Sequence, residues 1–281
     1  MIPQLIIFSG LLIGSVTDLK KREVPDTLNY SLIALGLFLS GVLAILNRDY
    51  NIMLSSVVGL FVGFIIGAVF YYSGQWGGGD AKLVMGVGAL MGLNINTMFV
   101  SFPLFLVFII TALVAGAIYG SIWLLSLALI NRRVFSKKYV ELSSKNKNKS
   151  AKILIIVVAL LLLALLLFDV GLQIIILGYL LLIFFALMIY SKNVMRAIEL
   201  SVLIKSLSVD KLVEGDWVVD SFKFKNVTFK SDRTGITQAQ IDLLKKNGVK
   251  KVLVKEGIPF VPSFFIAYIV ILVLGNWFLL L

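Results

Sequence analysis

The sequence predicts an all-α polytopic membrane protein with about eight transmembrane helices, its amino terminus outside, and a small cytosolic α/β insertion before the last helix. Of its 281 residues, 59% are hydrophobic, and the mean hydropathy is +1.00. Several apolar runs approach the roughly 17–25 residues that cross a hydrocarbon core of about 30 Å. Lysine and arginine are concentrated in the segments between alternate runs, as in proteins oriented by the positive-inside rule.

Eight apolar segments are candidate spans: residues 2–17, 28–46, 53–72, 82–95, 98–120, 153–168, 172–190 and 259–281. The fourth segment is the shortest, because its continuous apolar part covers only residues 81–93. The apolar stretch 99–130 is too long for one upright helix. It must tilt, break or leave the bilayer, with Pro103, Gly116 and Gly120 as candidate break points.

The charges predict the orientation of these spans. With the amino terminus outside, every lysine and arginine except Arg48 falls on the cytoplasmic side. The opposite orientation would reverse this distribution and contradict the positive-inside rule. The first apolar run is not expected to be a cleaved signal peptide, since its basic cluster Lys20–Arg22 follows the run instead of preceding it.

Residues 191–257 have a different pattern. Apolar and polar residues alternate from Trp217 to Phe229, which predicts strands. Thr237 is a suitable N-cap for a helix ending before Gly248, and a further strand is expected at 250–254. The predicted organisation is a transmembrane core at 1–130, a basic cytosolic linker at 131–152, a transmembrane hairpin at 153–190, a cytosolic α/β domain at 191–257 and a last helix at 258–281. The basic surface of the α/β domain either attracts anionic lipid or is simply a solvated cytosolic loop.

The composition excludes many kinds of active site. The chain has no cysteine and no histidine, so thiol nucleophiles, histidine-containing triads and His/Cys metal sites are impossible. We expect no cofactor and no metal, because two aspartates alone hold a hard cation poorly. The net charge of +11 indicates membrane orientation, and no nucleic-acid partner is expected.

Two aspartates stand out among the few ionisable residues near the spans. Asp18 ends the first helix and Asp80 opens the fourth, so the predicted topology brings both to the cytoplasmic face. Asp49 and Asp169 belong to the other face, and Asp26 or Thr27 is expected to cap the second helix. Taken singly, Asp80 could be only a helix cap, and Asp18 only an interfacial charge that balances Lys20 and Lys21. Together they can share a proton, activate water and polarise a peptide carbonyl, which is aspartyl peptide hydrolysis.

The glycines before Asp80 add a geometric argument. Glycine permits positive φ and lets another backbone approach closely. We therefore assign Gly77, Gly78, Gly79 and Lys82 to the loop through which an extended substrate reaches Asp80.

The combination of Asp18, the basic patch, Val24-Pro25-Asp26 and Gly77-Gly78-Gly79-Asp80-Ala81-Lys82 resembles the type IV prepilin peptidase family. It looks most like the archaeal prepilin and preflagellin peptidases, which are membrane aspartyl proteases of the GxGD type. The resemblance covers mainly residues 1–130, together with the segment Gly257–Pro262. It implies that Asp18 and Asp80 are the catalytic pair.

The resemblance also implies substrates and a location. The expected substrates are precursors of pilin or archaellin subunits, whose short basic leader is removed at the cytoplasmic face of the cell membrane. Bacterial members often carry an N-terminal segment with paired cysteines and a methyltransferase activity. Because this chain starts directly in its first helix and has no cysteine, we do not expect that second activity.

Other interpretations remain open at this point. Presenilin-like proteases also carry GxGD, but they place the second aspartate on the adjacent preceding helix and carry a Pro-Ala-Leu motif, which is absent here. A non-enzymatic membrane scaffold is a further alternative, whereas a transporter is disfavoured because the middles of the helices carry almost no charge. Pro259 and Pro262 are either a wall of the active site or only the start of the last helix.

Overall fold

The computed structural model describes residues 2–96, 102–145, 156–160, 163, 178–179, 182, 193–219, 222–224, 227–229 and 235–276. The helices in these ranges are α1 (Ile2–Lys21), α2 (Asp26–Asn47), α3 (Asn51–Tyr72), α4 (Gly78–Met91), α5 (Leu104–Ile130), α6 (Arg132–Lys145), α7 (Gln238–Lys246) and α8 (Val261–Leu274). The strands are β1 (Ile204–Ser208), β2 (Trp217–Val218), β3 (Phe222–Phe224), β4 (Val227–Phe229) and β5 (Lys251–Lys255). A π-helical turn, Glu199–Leu203, precedes β1, and a 3₁₀ turn, Val209–Lys211, follows it.

The protein is mostly helical, and four helices of its described part are long and apolar enough to cross a membrane: α1, α2, α3 and α5. The helices α4 and α8 have 14 described residues each, which gives about 21 Å. The sixth and seventh expected spans, 153–168 and 172–190, lie almost entirely outside the described residues. The membrane prediction is therefore supported, while the number of eight spans and their orientation stay predictions.

The helix α5 differs from its predicted form. It is continuous over 27 residues, about 40 Å, and it begins directly after Pro103. Gly116 and Gly120 lie inside it, so a break at these glycines, one of the alternatives expected for this long run, does not occur. After Asn131, the segment expected as a basic linker is helical over Arg132–Lys145. An apolar run that is too long for one upright span is thus accommodated by a longer helix rather than by a kink.

The described chain divides into two compact units. One consists of Met1–Trp123 together with Ser206–Leu281, and the other consists of Leu124–Lys205. In the second unit, α6 packs against the π-helical turn Glu199–Leu203. The first unit contains both aspartates singled out from the sequence.

A row of small residues brings α3 and α4 into close contact. Gly59, Gly63 and Gly67 recur every four residues, so they line one face of α3. A Cβ on Gly63 would lie 3.0 Å from the Val84 carbonyl oxygen, and one on Gly67 would lie 2.9 Å from that of Ala81. Close approach through small residues is a common way to pack helices in a membrane, where apolar burial drives association weakly.

The short helix α4 is enclosed by its longer neighbours. It packs on α2 as well as α3, and Gly36 of α2 lies against Ala89. Its side chains Leu83, Val84 and Val87 are completely buried. On α3, the Ser56 hydroxyl donates a 2.6 Å hydrogen bond to the Ala89 carbonyl. The short helix α4 is therefore an interior helix that is covered by protein.

The helix α8 packs against α1. Its residues Phe264, Ala267 and Tyr268 are buried in the same core as Leu11 of α1. The Tyr268 hydroxyl donates a 3.0 Å hydrogen bond to the Gln4 carbonyl near the start of α1. The helix α8, the last one described, thus packs along α1.

The α/β part matches its sequence prediction closely. A three-stranded sheet has the order β1–β5–β2, with Val218 opposite Val254 in the antiparallel pair of β2 and β5. The strands β3 and β4 pair antiparallel, with Phe222 opposite Phe229. Thr237 precedes α7, and its N–H donates to the Gln240 side chain at 2.8 Å. Ile241 and Leu244 of α7 are buried in a separate core that includes Val252 and Val254.

The contact between α3 and α4 generates a prediction about stability. A Cβ on Gly59 would collide with the backbone carbonyl of Gly88, which cannot move without moving α4. We expect Gly59→Ala to reduce the free energy of unfolding by about 1–3 kcal/mol, despite the better helix propensity of alanine. Thermal unfolding of the detergent-solubilised protein measures this loss.

Gly41→Ala is the matched control. Its Cβ would meet only the Met53 sulfur, at an ordinary 3.9 Å. We expect it to leave the melting temperature unchanged or slightly raised. Equal melting temperatures for the two variants would contradict the tight α3–α4 packing.

Candidate active site

Asp18 is held in the last turn of α1 by the start of α8. The residue is only 6% exposed, and the Val261 N–H donates a 3.0 Å hydrogen bond to its Oδ2. The first N–H groups of a helix have no partner within the helix and lie at the positive end of its dipole, so a carboxylate is stabilised there. One turn earlier on α1, Gly14 allows Val261 to come close, because a Cβ would lie 3.3 Å from its Cγ1.

Asp80 is the third residue of α4, and one of its two carboxylate oxygens is bound. The Gly77 N–H donates a 2.9 Å hydrogen bond to Asp80 Oδ2, so one oxygen does cap the helix, as one interpretation of the sequence expected. Asp80 Oδ1 has no hydrogen-bond partner in the described part of the chain. The residue is partly exposed. One oxygen therefore fixes the carboxylate, and the other is available to another molecule.

The structure brings Asp18 and Asp80 to the same end of the helices. The helices α1 and α4 are in contact, and the Asp18 charge acts on Asp80. Asp49 lies at the far end of α2, where its Oδ1 accepts a 3.0 Å hydrogen bond from the Asn51 N–H at the start of α3. Asp169 is outside the described residues. Asp18 and Asp80 thus lie at one end of α1 and α4, and Asp49 lies at the other end of α2.

The three glycines lie differently from the open loop expected. The helix α4 already begins at Gly78, and none of Gly77, Gly78 and Gly79 has positive φ. Gly79 does, however, allow another part of the backbone to come close. A Cβ at Gly79 would lie 3.3 Å from the Val24 nitrogen and 3.1 Å from the Val24 Cβ. The space beside Gly79 is therefore filled by the chain's own α1–α2 connection.

Lys82 lies inside α4 and not in a loop. Its Nζ is 2.7 Å from Asp26 Oδ1 and 5.4 Å from the centroid of the Tyr30 ring. Asp26 is the first residue of α2, and the structure shows no side-chain hydrogen bond capping that helix. The expectation that Asp26 or Thr27 caps α2 was thus wrong, because Pro25 occupies the cap position. The ion pair connects α2 to the first turn of α4.

Pro259 and Pro262 are both buried around the start of α8. Pro262 lies in the first turn, a position that needs no N–H within the helix. Between them, Phe260 packs edge-on against Phe264 at 5.3 Å and near Trp76 at 5.8 Å. The prolines thus flank the backbone that binds Asp18, and their role as a wall of the site stays a prediction.

Other residues of the site were not singled out from the sequence. Arg22 has a positive φ of 60°, its guanidinium lies 5.3 Å from the Trp123 ring centroid, and its Nη1 donates a 3.3 Å hydrogen bond to the Gly257 carbonyl. Asn29 is completely buried and donates a 3.3 Å hydrogen bond to the Gly79 carbonyl. The sequence offered one signal for Asn29, because a polar side chain within an apolar run indicates a functional or structural contact.

The described residues offer little to a metal ion. No group of three or more acidic, histidine or cysteine side chains gathers within them. Asp18 and Asp80 are the acidic pair that a cation could use, and each already accepts a backbone hydrogen bond.

Comparison with known proteins matches the part of the chain that carries this site. Residues 5–129 match the sequence model of the type IV leader peptidase family. A preflagellin peptidase of Methanocaldococcus jannaschii is 43% identical over 82 residues, which are 29% of this chain and 35% of that relative. A preflagellin peptidase of Methanococcus maripaludis is 37% identical over 91 residues, which are 32% of this chain and 39% of the relative.

A prepilin peptidase of Methanothermobacter thermautotrophicus is 30% identical over 105 residues, or 36% of this chain and 27% of that relative. The matched region spans less than two fifths of the length of each of these relatives. Asp18, Asp80 and the glycines before Asp80 all lie within the residues that match the family model. The resemblance predicted from these motifs is confirmed: over residues 5–129, the chain is similar to the type IV leader peptidase family.

Proposed function

We propose that this protein is a membrane aspartyl endopeptidase that removes the short basic leader of prepilin- or preflagellin-like precursors at the cytoplasmic face of the cell membrane. The observation that supports the proposal most is that Asp18, in the last turn of α1, and Asp80, in the first turn of α4, lie at the same end of two helices that are in contact. Each carboxylate is fixed by a backbone N–H through one oxygen. The similarity to preflagellin and prepilin peptidases supplies the substrate class.

The two carboxylates perform complementary steps. Two nearby carboxyl groups are most stable when one proton lies between them, so one is ionised while the other is protonated. The ionised group takes a proton from a water molecule, which attacks the scissile carbonyl carbon. The protonated group donates a hydrogen bond to the carbonyl oxygen. The proton taken from the water then passes to the leaving nitrogen as the C–N bond breaks. Asp80 Oδ1 has no partner in the described residues, which suits it for holding the water.

The cytoplasmic orientation rests on the distribution of charge. Lys20, Lys21 and Arg22 end α1, at the same end as Asp18, and Lys82 lies in the first turn of α4 with Asp80. Such clusters favour the cytoplasmic side. A basic leader gains nothing from the bulk charge of a cationic enzyme. Its recognition therefore depends on the carboxylates and on the grooves between helices.

Isosteric substitution of each aspartate tests the proposal. The amide oxygen of an asparagine at either position can still accept the hydrogen bond from Val261 or Gly77, so Asp18→Asn and Asp80→Asn should fold normally. We expect each to lower the cleavage rate by at least about a thousandfold, as loss of a catalytic group does in other proteases. The measurement is the conversion of a precursor with a basic leader and an apolar segment, in liposomes that contain the full chain.

Asp49→Asn is the matched control, because that carboxylate lies at the far end of α2, where it accepts a hydrogen bond from the Asn51 N–H. We expect it to retain cleavage. Processing of the precursor by both Asp18→Asn and Asp80→Asn would refute the assignment and favour a scaffold function instead.

Asp26 provides a separate prediction, because it is an acidic residue near the site that the mechanism does not use. Its ion pair with Lys82 is partly exposed, with side-chain exposures of 58% and 35%, and such pairs contribute about 0–1 kcal/mol. We expect Asp26→Asn to keep kcat within about twofold of wild type and to change the melting temperature little. A loss of cleavage comparable to that of Asp18→Asn would mean that Asp26 belongs to the catalytic pair.

A further inference from the structure

Within the described residues, three buried side-chain polar atoms have no hydrogen-bond partner: Asn29 Oδ1, Asn276 Oδ1 and the Tyr119 hydroxyl. The hydroxyl of Tyr119, on α5, is inaccessible to solvent and makes no hydrogen bond within the described residues. Folding gives no reason to keep such a group, because a buried hydroxyl without a partner loses its bonds to water and gains nothing in return. A phenylalanine would fill the same space without that cost. A hydroxyl kept under these conditions indicates a partner that is absent from the free protein.

The neighbours of Tyr119 place it beside the catalytic pair. Gly116, one turn earlier on α5, packs directly on the Phe260 ring, and Phe260 precedes the residue whose N–H binds Asp18. Trp123, one turn later, has its ring centroid 5.9 Å from that of Tyr119 and lies beneath the Arg22 guanidinium. Tyr119 is therefore flanked by the start of α8 and by the end of α1.

The electrostatics agree with this placement. The charges of both Asp18 and Arg22 act on the phenol group of Tyr119, although it makes no hydrogen bond with either. A precursor whose scissile peptide group contacts Asp18 would bring its neighbouring backbone close to this hydroxyl. Gly120, the next residue, has no atom within 4 Å of the position a Cβ would take, so the space directly beside it is open.

We infer that Tyr119 is a substrate-contacting residue, whose hydroxyl donates a hydrogen bond to a backbone carbonyl oxygen of the precursor beside its scissile bond. The inference rests on the proposed function. Because the hydroxyl is covered in the free protein, a neighbouring side chain must move when the precursor binds. The Arg22 side chain can move without disturbing the packing of a helix, because it is exposed. Its contacts are the 3.3 Å hydrogen bond to the Gly257 carbonyl and the contact with the Trp123 ring.

Tyr119→Phe removes the hydroxyl and keeps the ring against Trp123. We expect kcat/KM for precursor cleavage to fall about tenfold, the upper range for one lost hydrogen bond. The fall should be carried mainly by KM, because a carbonyl other than the scissile one is bound equally in the ground and transition states. The melting temperature should be equal to or higher than that of wild type, since a buried group without a partner has been removed.

Tyr72→Phe is the matched control, because Tyr72 is 70% exposed at the end of α3. It should match wild type in both activity and melting temperature. The experiment uses the full chain in liposomes, a precursor with a basic leader, and initial rates across the pH range in which wild type is active.

Three results for Tyr119→Phe would overturn the inference. An unchanged kcat/KM would show that the hydroxyl does not contact substrate. A loss of activity with a shifted pH profile would make Tyr119 a positioning residue for Asp18, and a loss with a lower melting temperature would make it structural. These failures leave the proposed function intact as long as wild type cleaves the precursor and Asp18→Asn and Asp80→Asn do not. If wild type does not cleave, both the proposed function and this inference fall.

Discussion

The hydrogen bond from the Val261 N–H to Asp18 is the interaction on which the site depends. It joins two residues that are 243 positions apart, and it fixes a buried carboxylate at the start of α8. A carboxylate in such surroundings is tolerated only with a strong partner, and the unpaired N–H groups of a helix N-terminus provide one. The close packing of α1 on α8 at Gly14 and the aromatic contacts of Phe260 hold that helix start against Asp18.

Asp80 is positioned by a different route, through the placement of a whole helix. Glycines on α3 let α4 pack closely against it. The buried side chain of Asn29 on α2 donates a hydrogen bond to the Gly79 carbonyl in the first turn of α4. The carboxylate then needs only the local bond from Gly77. The two aspartates are thus positioned independently. Asp18 is held by the N-terminus of α8, and Asp80 is held by the tight packing of α4. Preorganisation of this kind is what a catalytic pair requires, since small displacements of reacting groups cost large factors in rate.

The sequence predicted those parts that are governed by local rules. The apolar runs of α1, α2 and α3, the strands from Trp217 to Phe229, and the helix that follows Thr237 were each marked by periodicity or capping residues. Positive-inside reasoning brought Asp18 and Asp80 to one face, and the structure brings them to one end of their helices. What could not be predicted was non-local. The Val261 bond, the Val24 contact with Gly79 and the pairing of Asp26 with Lys82 all depend on which helices become neighbours.

The central claim is that Asp18 and Asp80 converge, and the absence of native cysteine allows a direct test. The full chain carrying Asp18→Cys and Asp80→Cys would be treated in membranes with a short bifunctional thiol reagent, and the cross-linked form would be separated by gel mobility after cleavage between α1 and α4. The account predicts efficient cross-linking of this pair and none for Asp18→Cys combined with Asp49→Cys. Failure of the first pair to cross-link, while each single cysteine still reacts with a small thiol reagent, would contradict it.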